Sequence, residues 1–286
     1  MKKTLAMLLA LVMVLALGAC GGNSAPAAPS TDNNASPAEN SSTAAPNESA
    51  QESFTFTMGI DAEYPPFSYM DDNGNYAGFD VEICRAACEK LGWNFEVFGV
   101  NWDEKLIQLD ADECDCVWSG MTILDSMKES GYVISEPYYD NTQVMLVKAA
   151  SGFTCAADLA GYDVAVQLCT SGEALLQGDL ADMAATFNNV ITCDSFLKCF
   201  TELDGGAVDA VFVDLPVAVA YAAEHDGFTV LNENLGAEQY GIAFRSGDQA
   251  LCDAIEGAVA ELVADGTYSA IAENYPDIVN NLLFLN

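Results

Sequence analysis

Basic side chains are what this sequence has least of: nine Lys and Arg stand against 43 Asp and Glu, with a single His and a formal net charge of -34. Holding a phosphate backbone requires clustered cations, and a surface this acidic repels polyanions, so nucleic acid is excluded as a natural partner. A polybasic footing on an anionic membrane is excluded for the same reason. Long apolar runs are scarce too. The unbroken stretch at residues 5 to 17 falls short of the roughly 20 residues that a membrane-spanning helix needs. Catalytic constellations are missing. His225 sits between Glu224 and Asp226 as a solvated residue late in a helix, with no nucleophile and base pair, phosphate loop or metal cluster to accompany it. Cys114 and Cys116 have no neighbouring His or second pair, which is poor zinc-ligand spacing. No cofactor is implied, and no enzyme is expected.

What is present begins with an address. Lys2 and Lys3 precede the short apolar run, which has the length of a signal-peptide core. The run ends in Leu17-Gly18-Ala19-Cys20, which resembles a bacterial lipoprotein lipobox, so residues 1 to 20 are predicted to be a lipoprotein signal with Cys20 as the lipidated residue. Two acyl chains anchor durably where one does not. Membrane contact is therefore expected through this anchor alone. Residues 21 to 52 contain no Val, Ile, Leu or aromatic side chain, cannot bury enough surface to offset the entropy of ordering, and read as a disordered tether.

The folded part, residues 53 to 286, alternates strand and helix signals. Phe56, Met58 and Ile60 alternate with Thr55, Thr57 and Gly59 as a strand with one buried face. Val81, Cys84, Cys88 and Leu91 form one helical stripe stopped by Gly92. Further strands are predicted at 95 to 100, 116 to 118, 142 to 147, 162 to 167, 189 to 192, 208 to 213 and 240 to 245, with helices at 102 to 109, 171 to 177, 195 to 203 and 215 to 224 between them. Such alternation implies an α/β fold with parallel sheets covered on both faces and ligands at the carboxyl ends of strands.

Gly59-Ile60-Asp61-Ala62-Glu63-Tyr64-Pro65-Pro66-Phe67, then Gly78-Phe79-Asp80-Val81, opens a series of matches in consistent order. Asp115 to Thr122, Ser135-Glu136-Pro137-Tyr138-Tyr139, Val164-Ala165-Val166-Gln167 with Thr170-Ser171-Gly172-Glu173, Val208 to Asp214, and Asp265-Gly266-Thr267-Tyr268 follow. Together they resemble the polar-amino-acid substrate-binding proteins of ABC importers, solute-binding protein family 3. The resemblance implies a periplasmic-binding-protein-like type II fold: two α/β lobes, a central cleft and two crossover hinge strands near 143 to 148 and 239 to 245. Lobe 1 is expected at 53 to 143 plus 241 to 286, and lobe 2 at 144 to 240. A small polar solute closes the cleft, an ABC permease receives it, and the protein acts as a monomer on the outer face of the cytoplasmic membrane. A ligand-sensing module for a receptor, or a dehydratase-like enzyme on the same lobes, are the alternatives.

The resemblance also assigns roles. Tyr64 lays its ring on the aliphatic part of the solute and Trp102 supplies the opposite wall; Ser119 and Thr122 offer hydroxyls just past a strand. On lobe 2 are Gln167, and Thr170 and Ser171 at a helix start, where N-capping is the simpler role. Asp214 is the family's ammonium ligand, or else the N-cap of a helix with Pro216 behind it. The family's carboxylate-binding Arg falls at Met127 here, which leaves three readings: Lys128 substitutes, the helix at Thr170 carries the carboxylate, or the solute lacks one. Asp61 and Glu63 either select a cationic solute end or are solvated. Apart from Cys20 there are nine Cys, an odd number, read mostly as free buried thiols suited to an anoxic habitat.

Overall fold

A computed structural model describes residues 54 to 285; the predicted signal peptide, Cys20 and the tether at 21 to 52 lie outside them. The chain begins with β1 (Thr55–Ile60), the short strands β2 (Glu63–Tyr64), β3 (Ser68–Met70) and β4 (Tyr76–Ala77), then α1 (Phe79–Leu91), β5 (Asn94–Gly99), α2 (Lys105–Asp110), β6 (Cys116–Thr122), α3 (Asp125–Glu129) and β7 (Val133–Ile134). Next come β8 (Tyr139–Lys148), β9 (Asp163–Gln167), α4 (Ser171–Gln177), α5 (Ala181–Ala184), β10 (Asn189–Cys193), α6 (Phe196–Gly205), β11 (Ala210–Asp214), α7 (Leu215–Glu224), β12 (Phe228–Val230), β13 (Gly236–Phe244), α8 (Gln249–Asp265) and α9 (Thr267–Ala272).

The strands run β10-β9-β11-β8-β13-β6-β1-β5 across the molecule. At one end β1 is parallel to both β5 and β6; at the other β9 is parallel to both β10 and β11. Between them β8 and β13 lie antiparallel, with Gly236 opposite Gln143 and Tyr240 opposite Tyr139. Each changes partner along its length. β8 passes on to β11, placing Gln143 opposite Asp214, and β13 passes on to β6, placing Tyr240 opposite Thr122. These two long strands are the crossovers that join the two lobes, and both start earlier in the chain than the apolar pattern predicted. Their first halves carry Asn141, Thr142, Gln143 and Glu238 among the apolar residues, which hides them from a hydrophobicity reading.

Local chemistry sets the elements. α1 carries Asp80 and Glu82 in its first turn and Lys90 in its last, favourable at the respective ends of the helix dipole, and Gly92 closes it in the left-handed conformation. The largest apolar core links the lobes at the inner end of the cleft: Tyr64 packs on Phe196 with ring centres 5.9 Å apart, and Phe67 meets Tyr139 edge-on at 5.0 Å. A second core under β9 and β11 gathers Val164, Val166, Phe212 and Leu176. The nine described cysteines are all free, and seven are buried. No helix among the described residues is long and apolar enough to cross a membrane.

Candidate functional site

At the carboxyl ends of β6, β9 and β11 lies a cavity of about 160 Å³ whose lining draws on both lobes. Asp214 forms one end of it. Positioned at the N-cap of α7, its side chain makes no capping bond; instead Oδ1 accepts from Asn141 Nδ2 at 2.5 Å, Gln143 Nε2 at 2.8 Å and the Tyr240 hydroxyl at 2.8 Å. Asn141 and Gln143 alternate along β8 and therefore present their amides on one face. Both also donate to Glu238 Oε1, at 2.7 and 2.9 Å. Burial, with the Glu238 carboxylate next in effect, pushes the Asp214 carboxyl well above the usual carboxylate range.

Tyr64 forms the adjacent wall, its hydroxyl 2.7 Å from that of Tyr240. The ring is seated against the backbone of Gly120, where a Cβ would stand 2.3 Å from Tyr64 Cε1 and where φ is +52°, so glycine is required twice over. Gly120 in turn is held by Asp80, whose Oδ2 accepts its N–H at 2.8 Å and the Tyr138 hydroxyl at 2.7 Å. Burial raises the Asp80 carboxyl to about 7.

Trp102 also lines the cavity, and with it comes Lys105 from the first turn of α2. The Lys105 ammonium donates to the Trp102 carbonyl at 3.0 Å and the Cys169 carbonyl at 2.9 Å, and lies 4.5 Å from the Trp102 ring centre. Burial lowers it to about 8. Lys128 is a correction: it is exposed on α3 and does not reach the cavity, which takes Met127 instead. Successive residues of a helix point about 100° apart, so turning Met127 inward turns Lys128 to solvent.

Away from the crossover strands, hydrogen bonds also join the two lobes beside the cavity. Thr122 Oγ1 donates to Ser171 Oγ at 3.1 Å, Gln167 Nε2 to Asp61 Oδ2 at 3.0 Å, and Lys105 to the Cys169 carbonyl. Gln167, Thr170, Ser171 and Thr122 all line the cavity. Thr170 also performs its simpler role, accepting the Glu173 N–H as N-cap of the seven-residue α4. Two further expectations are corrected. Asp61 does not line the cavity; it is buried beside it, held by Gln167 and by the Glu63 N–H. Ser119 is fully buried, accepting from the Asp61 N–H at 3.0 Å and meeting the Ser68 hydroxyl at 2.6 Å. Because β6 runs on to Thr122 instead of ending at Trp118, Ser119 is an interior strand position rather than a loop residue at the cleft.

The family described as bacterial extracellular solute-binding proteins, family 3, matches residues 56–277. The chain belongs to this family. The L-cystine-binding protein TcyJ of Escherichia coli (strain K12) is 32% identical over 224 residues, 77% of this chain and 82% of that protein. An ABC uptake transporter substrate-binding protein from Streptococcus pneumoniae, solved with bound histidine, superposes with a TM-score of 0.73 at 25% identity, covering 77% of this chain and 91% of that one. An ancestral arginine-binding protein bound to arginine superposes with a TM-score of 0.71 at 34% identity, over 77% and 97% of the two chains. The two-lobed type II fold is shared with these two solved structures.

Several lining or supporting residues escaped the sequence reading. Phe196 reads as one member of the apolar stripe of α6, yet it packs against Tyr64 and lines the cavity with it. Lys105 opens α2 three residues after Trp102, and no local pattern marks it as a cavity residue. Asn141 and Gln143 were detectable as alternating amides leading into the apolar run Val144 to Val147.

Proposed function

We propose that this family 3 protein is an extracytoplasmic lipoprotein that captures an amino acid by closure of its two lobes and delivers it to an ABC importer. The observation that carries this reading is the Asp214 carboxylate: buried at the cavity end, bypassing the helix cap available to it, and charged only at a cost that a bound ammonium would offset. Tyr64, Trp102 and Phe196 supply flat apolar surface for the rest of the solute. The names of the relatives above support amino acids as the solute class. With Lys105 the one cation among the cavity-lining residues, a basic or neutral polar amino acid suits the site better than an acidic one, whose second carboxylate would go unpaired.

In this reading the lobes divide at 53 to 143 plus 241 to 286 and 144 to 240. Cys20 carries the lipid, residues 21 to 52 tether the monomer to the outer face of the cytoplasmic membrane, and a permease receives the closed form. The test is a thermal-shift and calorimetric screen of the purified protein against L-arginine, L-histidine, L-cystine, L-glutamine and L-glutamate. A solute at ~100 times its Kd adds about 2.7 kcal/mol. A raised midpoint is expected with at least one of the first four and not with L-glutamate. No response to any amino acid, with a folded protein, would overturn the proposal.

A further inference from the structure

Seven Lys and Arg fall within the described residues, and six lie away from the cavity. Lys90 pairs with Asp265 and Lys198 with Glu202, while Arg245 engages Asp112, Asp115 and Asp248. Arg85 covers the Phe95 ring, Lys148 reaches the Asp204 carbonyl and Lys128 faces solvent. Lys105 alone of the seven lines the cavity. Among the described residues no carboxylate lies within ion-pair distance of it; its hydrogen bonds go to the neutral carbonyls of Trp102 and Cys169. The half-buried ammonium thus rests on two neutral carbonyls beside the cavity, with no carboxylate in direct contact.

Building on the amino-acid reading above, we propose that Lys105 binds the carboxylate of the captured amino acid, taking the role of the guanidinium that this chain replaces with Met127. The incoming carboxylate displaces the Cys169 carbonyl from the ammonium, so the direct bond from Lys105 to Cys169 is exchanged for one through the solute. Asp214 and Lys105 then recognise opposite charges of one molecule. An ammonium is a compact point charge, whereas a guanidinium fork pairs with both carboxylate oxygens, so this site tolerates more variation in how the acid group is presented.

The titration of Lys105 supports the assignment. Desolvation lowers it to about 8, while Cys169, Asp103 and Asp61 face it and favour the charged form. The ammonium is therefore lost as pH rises through about 8, and with it the partner for a carboxylate.

The test pairs each amino acid with its decarboxylated counterpart: L-arginine with agmatine, L-histidine with histamine, L-cystine with cystamine, measured by calorimetry on the purified protein and on Lys105→Met and Lys105→Arg. Loss of a hydrogen-bonded charge partner predicts at least ~30-fold weaker binding of the amino acid to Lys105→Met, with its decarboxylated counterpart bound as well as, or better than, by the unaltered protein. Lys105→Arg should retain amino-acid binding and, unlike the unaltered protein, hold it between pH 8 and 9. Equal losses for acid and amine would make Lys105 a cleft latch and overturn the proposal, as would unchanged amino-acid affinity in Lys105→Met. If the unaltered protein binds the amines but none of the amino acids, the reading beneath the proposal falls and the proposal falls with it. Retained amine binding shows that Lys105→Met is folded.

Discussion

Asp61 and Gln167 lie 106 residues apart and meet across the cleft, where Gln167 Nε2 donates to Asp61 Oδ2 at 3.0 Å. Both side chains are buried, and burial raises the Asp61 carboxyl above its ordinary value. The bond therefore satisfies a carboxylate that closure would otherwise strand away from water. Removing one partner of a buried pair costs about 1–3 kcal/mol, or ~5- to 150-fold in the balance of closed to open forms. Gln167→Ala is expected to enlarge the radius of gyration of the ligand-free protein in small-angle X-ray scattering. An unchanged scattering curve would show that the bond does not hold the lobes together.

Asp214 leads to a prediction about protons. Its carboxyl is raised well above the usual range by burial first and by Glu238 second, so the protonated form persists to higher pH than in an ordinary carboxyl. A solute ammonium favours the charged form, and binding should release a proton from Asp214. Calorimetry in buffers of differing ionisation enthalpy is expected to show this release, growing as pH falls. Asp214→Ala should abolish it and weaken binding by at least ~30-fold. Identical apparent enthalpies in all buffers would mean that Asp214 is already ionised before the solute arrives.

The aromatic turn, the helix stripe of α1 and the strand ending at Asp214 were legible in the sequence because each is local: apolar spacing, a stop glycine, a Pro behind an acid. Fold class followed from their alternation and from the ordered motifs. What stayed hidden depended on contacts distant in sequence. Ser119 and Thr122 look equivalent as hydroxyls near a strand end, but only the true end of β6, set by its pairing of Thr122 with Tyr240, sends Ser119 inward and Thr122 to the cavity. Lys128 was the nearest cation to the vacant Arg position in sequence. Lys105 reaches the cavity from another helix, a proximity that no local pattern encodes.

Gly120 is where backbone geometry and the aromatic wall depend on each other. A Cβ there would stand 2.3 Å from Tyr64 Cε1 and 3.1 Å from the Tyr240 ring, on a residue with φ of +52°. Gly120→Ala must displace the Tyr64 ring, and with it the 2.7 Å bond between the Tyr64 and Tyr240 hydroxyls. Overpacking and the left-handed backbone each cost about 1–3 kcal/mol. Gly120→Ala should lower the thermal midpoint and also weaken solute binding. A lowered midpoint with unchanged affinity would show that the wall position of Tyr64 is not needed for capture.

Asp80 supports Gly120 from behind, and its buried carboxyl makes stability depend on pH. Its pKa rises from 3.8 in the unfolded chain to about 7 in the fold, because burial opposes the charge more than the Tyr138 hydroxyl and the Gly120 N–H favour it. A raised value means that the folded form binds the proton more tightly. The stabilisation from a protonated Asp80 is complete below pH ~4 and is lost as pH climbs towards 7. Each unit is worth 1.36 kcal/mol, so the span amounts to about 4 kcal/mol, an upper figure for a site whose two donors can readjust. Asp80→Asn cannot ionise and retains a carbonyl to accept the Gly120 N–H. Chemical denaturation at intervals from pH 4 to 7.5 should show the unaltered protein losing stability relative to Asp80→Asn across that window. A constant difference between the two proteins would place the ionisation of Asp80 outside it.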